Sequence, residues 1–89
     1  MDSILKLMIE LFGEEHQLIL VTEECAELIK EVTKYLRGED NKNNIIEEAA
    51  DVLIMIKYLQ LILDISDDDL NKMIEFKINR TTMRYKKEE

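Results

Sequence analysis

Two pairs of acids stand out in the sequence, Glu24-x-x-Glu27 and Glu48-x-x-Asp51, each with a further glutamate directly before it, Glu23 and Glu47. Residues three apart on an α-helix lie on one face, about 60° from each other around the axis. If the two segments face each other as an antiparallel helix pair, four carboxylates converge on one pocket. Hard divalent cations such as Mg²⁺ and Mn²⁺ prefer that all-oxygen, partly hydrated environment. Zinc fits poorly, because His16 and Cys25 are isolated and no Cys/His ligand spacing exists. A single pair of this kind is ordinarily a solvated surface feature. The second pair differs because Asp51 is followed by Val52, Leu53, Ile54, Met55 and Ile56, a run whose neighbours want burial. Buried carboxylates are costly unless a cation accompanies them.

The elements that must position these acids follow from the breakers. Proline is absent and only Gly13 and Gly38 interrupt the chain, so the expected fold class is all-α, a bundle of four helices. The first helix is expected from Asp2 or Ser3 to Phe12, with Ile4, Leu5, Met8, Leu11 and Phe12 at helical spacing. The second runs from Glu14 to Arg37, closed by Gly38 as a left-handed residue. Its apolar stripe is expected at Val21, Cys25, Leu28, Ile29 and Val32, with Cys25 as a small core filler. After a polar linker over 38–43, Asn44 with Glu47 suggests a cap for a third helix over Ile45–Leu63. Ser66 with Asp69 has the form of a capping box for a fourth helix reaching Tyr85, with 86–89 as a frayed tail. On the third helix Glu48 and Asp51 share a stripe with Met55 and Ile62, while Lys57 and Gln60 fall on the opposite, wet side. Tyr35 and Tyr58 are read as packing residues.

Composition narrows the partners. The chain has 89 residues, expected as one domain over 1–89, with 20 acidic and 12 basic residues and a net charge of -8. Most of such a surface repels a polyanion, which argues against nucleic-acid binding. No run reaches the roughly 20 apolar residues that a bilayer requires, so no membrane partner is expected. A single cysteine permits no internal disulfide and points to a reducing, cytoplasmic setting. A monomer of 10.6 kDa would retain roughly 5,500 Å² of surface and is marginal alone. The nearly all-round apolar third helix therefore implies a second subunit.

At its acidic motifs the sequence resembles the MazG-like nucleoside triphosphate pyrophosphohydrolases of the all-alpha type, whose pattern is EExxE on one helix and ExxD on the next. Here it reads Glu23-Glu24-Cys25-Ala26-Glu27 and Glu48-Ala49-Ala50-Asp51, within TEECAELIKEVTKYLRG and NIIEEAADVLIMI. The resemblance covers residues 14–85. It implies Mg²⁺-dependent hydrolysis of a nucleoside triphosphate between the α and β phosphates, with Mn²⁺ as a substitute. It also implies homodimers or homotetramers with residues of neighbouring subunits near the site. Glu24, Glu27, Glu48 and Asp51 would then be metal ligands, with Glu23 or Glu47 orienting water or supporting the ligands. Lys77, Arg80 and Arg84 share one face of the fourth helix. By the same resemblance Lys77 and Arg80, with Asn79 beside them and Lys34 from the second helix, would contact phosphate, and His16 would approach the nucleotide. Basic residues late in a helix also answer to its dipole alone. Two other functions compete with the enzyme: a catalytically inactive nucleotide or metal sensor, and a helical module whose acids bind a basic protein.

Overall fold

Gly13 and Gly38 are where the chain turns, and both adopt the left-handed φ that a side chain resists, +91° and +96°. The computed structural model describes residues 2–88. Four helices follow in order: α1 (Asp2–Phe12), α2 (Glu14–Leu36), α3 (Lys42–Leu63) and α4 (Asp67–Glu88). α2 and α3 form a long antiparallel hairpin, and α1 folds back onto both. The expectation of an all-α, four-helix chain holds.

The end of α2 forms as its sequence suggests. The Gly38 N–H donates to the Tyr35 carbonyl at 2.9 Å and the Glu39 N–H to the Lys34 carbonyl at 3.1 Å, the paired bonds of a Schellman turn. α3 begins earlier than expected. Its first helical residue is Lys42, so Asn44 lies inside the helix rather than capping it. The residue before it, Asn41, makes no side-chain cap either: its Nδ2 donates to α2 and its buried Oδ1 has no partner. α3 ends at Asp64, a non-glycine residue at φ +54°, a conformation that Asp tolerates better than most. The Ile65 N–H turns back to the Gln60 carbonyl at 2.9 Å. Ser66 caps α4 as expected: its hydroxyl accepts the Asp69 N–H at 3.0 Å. α4 continues past Tyr85 to Glu88, and the last residue of the expected tail, Glu89, lies outside the described residues.

The core is thin. Leu5, Met55 and Tyr58 are buried, with Met8, Ile9, Leu20, Val21, Leu61 and Ile62 packed around them. The face that α1 buries is thus Leu5, Met8 and Ile9, while Ile4, Leu11 and Phe12 are exposed. α2 corrects its expected stripe more strongly: Cys25, Ile29 and Val32 are all exposed. The packed face runs instead through Gln17, Val21, Glu24, Leu28 and Glu31. These positions recur at alternating spacings of four and three, the seam of a helix pair. Apolar character alone did not mark that seam, because polar residues occupy three of its five positions.

α4 stands apart. Every described side chain on it after Leu70 is exposed, including Met73, Ile74, Phe76 and Ile78. The radius of gyration is 16.5 Å, against about 12 Å for a compact chain of this length.

Candidate metal centre

The α2–α3 seam brings both acidic motifs to one place. Glu24 from α2 and Glu48 and Asp51 from α3 each offer a carboxylate oxygen, and these oxygens lie within 4.8 Å of one another. All three residues are half-buried. Glu48 and Asp51 are carried on the side of α3 that also buries Met55, as the helical spacing requires. Glu27 is one turn further along α2 and more open. Its carboxylate is 3.9 Å from Lys30 Nζ, yet its charge still opposes ionisation of Glu24 and Glu48.

Electrostatics at the cluster are unbalanced. Burial pushes the Glu24 carboxyl above its ordinary value, and the Asp51 charge adds to this. So does a hydrogen bond with the Asp51 carboxyl that needs a proton on one of the two, followed by the charges of Glu48 and Glu27. Glu48 is raised in the same way, by burial first and then by Asp51, Glu27, Glu47 and Glu31. Its Oε2 is buried with no hydrogen-bond partner. An orphaned buried carboxylate oxygen beside two other acids is a deficit of positive charge. A cation with oxygen ligands at about 2.0–2.6 Å separates opposing oxygens by about 4–5 Å, so the observed spacing fits a hard divalent ion. Glu24, Glu48 and Asp51 are the residues that could hold it, and Glu27, expected as a fourth ligand, is not among the oxygens that converge.

The remaining sequence candidates divide. Glu23 and Glu47 are exposed beside the cluster. Lys34 is engaged elsewhere, its Nζ 3.2 Å from Glu31 Oε2. His16 stacks on Phe12 with ring centroids 5.4 Å apart, and its Nδ1 is 2.9 Å from Gln17 Oε1. Lys77, Asn79 and Arg80 are exposed on α4, with Arg80 5.8 Å above the Phe76 ring as a cation–π contact. Among the described residues no acid pairs with Lys77 or Arg80, and the isolated chain does not bring them to the cluster.

Helical spacing aligns Glu31 with Glu24, but the burial of Gln17, Glu31 and Asn41 on the same seam was not foreseen from the sequence. The signal was present as a period of seven. Gln17, Glu24 and Glu31 are successive heptad positions on α2, as Asn41, Glu48 and Met55 are on α3.

A family model described as the MazG nucleotide pyrophosphohydrolase domain matches residues 12–87. Neither a curated protein nor a solved structure matches the chain.

Proposed function

The chain belongs to the MazG nucleotide pyrophosphohydrolase family, and from that premise we propose that it hydrolyses a nucleoside triphosphate between the α and β phosphates. The products are a nucleoside monophosphate and pyrophosphate. The observation that carries this reading is the meeting of Glu24, Glu48 and Asp51 across the α2–α3 seam, with one buried carboxylate oxygen unsatisfied.

The family is divalent-metal dependent, and Mg²⁺ is the ion proposed here, with Mn²⁺ as substitute. When bound, it would offset the triphosphate charge and activate water for attack on phosphorus. The protein's own residues do the rest. Glu24, Glu48 and Asp51, with Glu27 swung inward, fix where positive charge is held and therefore where the triphosphate docks. Glu23 or Glu47, the exposed acids that precede the ligands in sequence, would orient the attacking water by accepting its hydrogens or support the ligands. Without a cation, this cluster in a chain of charge -8 would repel a triphosphate.

A second copy of the chain completes the molecule as a homodimer or homotetramer. Support comes from the exposed surface of 7322 Å², about 1,800 Å² above that of a compact protein of this mass. That excess matches what one partner loses in an obligate interface. The exposed apolar residues of α4 are the natural surface to cover. On such a helix Lys77, Asn79 and Arg80 of one copy reach the phosphates held by the acids of another. No described helix is long and apolar enough to cross a membrane.

The test is incubation with Mg²⁺ and a panel of canonical and modified triphosphates, scoring monophosphate and pyrophosphate. Equal release of both, abolished by chelation, is expected. Turnover without metal, or none across the panel, overturns the enzyme reading in favour of a sensor or interaction module.

A further inference from the structure

Two turns from the acids, the same seam holds a second polar contact that the reaction does not use. Glu31 and Asn41 are 5% and 9% exposed, among the most buried polar residues described. Asn41 Nδ2 donates to the Glu31 backbone carbonyl at 2.8 Å and to Glu31 Oε1 at 3.3 Å. The second carboxylate oxygen of Glu31 takes Lys34 Nζ at 3.2 Å. A flipped amide would set Asn41 Oδ1 against two acceptors, so the orientation is determined by its partners.

The position of this contact matters more than its strength. Seven residues back along α2 from Glu31 is Glu24, and seven forward along α3 from Asn41 is Glu48. In antiparallel helices both steps run in the same direction, two turns or about 10.5 Å, and both return to within about 20° of the starting face. The seam between them offers little to fix register. Its apolar members, Val21 and Leu28 facing α3, are half-buried and tolerate sliding. Meanwhile the three acids repel one another and favour slipping apart. Asn41 also leaves α3 without a side-chain cap: its Nδ2 is given to α2, and its Oδ1, the atom that would cap, is buried without a partner.

We infer that the Asn41–Glu31 hydrogen bonds are a register clamp that sets Glu24 opposite Glu48 and Asp51, making Asn41 and Glu31 positioning residues of the metal centre. This rests on the reading of the acids as a cation site. Without the clamp, α3 can slide or rotate against α2 and the carboxylates lose their common focus. Supporting residues behind metal ligands commonly change affinity by about 10–100-fold.

The test compares Mn²⁺ affinity, read by the loss of free-ion electron paramagnetic resonance signal, with thermal unfolding at fixed protomer concentration. Asn41→Ala and Asn41→Ser both remove the clamp, and the serine restores a cap to α3, which keeps the protein folded if alanine does not. Each is expected to weaken Mn²⁺ binding about tenfold. Leu5→Val, in the core away from the clamp, lowers the unfolding temperature and leaves affinity unchanged. Wild-type affinity in both Asn41 variants overturns the clamp alone, as does an equal loss in Leu5→Val. A wild-type chain that binds no Mn²⁺ overturns the cation site, and the clamp's role falls with it.

Discussion

Glu24→Gln should make the metal-free protein more stable and the metal-loaded protein less stable than wild type. The glutamate oxygen lies within 4.8 Å of oxygens from both Glu48 and Asp51. At that distance two unit charges repel by about 0.9 kcal/mol even at the dielectric of water. Two such pairs give about 2 kcal/mol, reduced to about 1 kcal/mol by salt and by protonation of the half-buried cluster. For a chain of this size about 1 kcal/mol corresponds to about 4–8 °C in the unfolding midpoint. The glutamine is nearly isosteric, so packing contributes little to the difference. Adding cation reverses the order: a hundredfold excess over the dissociation constant stabilises wild type by about 2.7 kcal/mol, and the variant gains only what its weakened site retains. Differential scanning fluorimetry in chelator and in Mg²⁺, at one protomer concentration, reads both halves. A variant less stable than wild type in chelator, or equally stabilised by Mg²⁺, would refute the placement of Glu24 in a shared charge cluster.

The same electrostatics fix a pH dependence. Glu24 and Glu48 are raised above the ordinary 4.5, so the stability they lend is present at low pH and is lost as pH rises through their folded values. Saturating Mg²⁺ should abolish that loss, which unfolding midpoints across pH 4–8, roughly, would reveal. Glu31 is lowered, chiefly by Asn41, and Asp67 is lowered, chiefly by Gln60, so their contribution is lost as pH falls below their ordinary 4.5 and 3.8. Gly38→Ala meets no atom within 4 Å and is opposed only by φ +96°. Denaturant unfolding should show a loss of about 1–2 kcal/mol with metal affinity intact. If Arg80 contacts phosphate as proposed, Arg80→Ala removes a charge-assisted contact worth about 1.5–3 kcal/mol and kcat/KM should fall about 10–100-fold; an unchanged value would leave Arg80 to the helix dipole and the Phe76 ring.

Much of the fold was legible because it depended on local chemistry. The absence of proline, glycines at 13 and 38, and Ser66 before Asp69 each specify a break or a cap within a few residues. The start of α3 was misplaced because Asn44 and Asn41 are equally plausible caps in sequence, and only the tertiary bond to Glu31 decides between them. The face of α2 was misjudged for a related reason. Val21, Cys25, Ile29 and Val32 form a more apolar stripe than Gln17, Glu24 and Glu31, yet the polar stripe is the one that packs on α3. Hydrophobicity predicts the buried face only when burial within one chain is all that matters. Here an exposed apolar stripe and a packed polar seam exchange the usual signs, as the proposed second subunit and the proposed cation site would require. Spacing put each acid pair on one face of its helix, and the meeting of Glu24 with Glu48 and Asp51 followed only on the condition that those two faces oppose each other, whereas the more open position of Glu27 is a side-chain detail that spacing does not encode.

The most direct measurement is anomalous diffraction from crystals grown or soaked in Mn²⁺. The account predicts a peak on the α2–α3 seam within coordination distance, roughly 2.0–2.3 Å, of carboxylate oxygens from Glu24, Glu48 and Asp51. A metal found only elsewhere on the surface, with these three carboxylates turned apart into solvent, would contradict it.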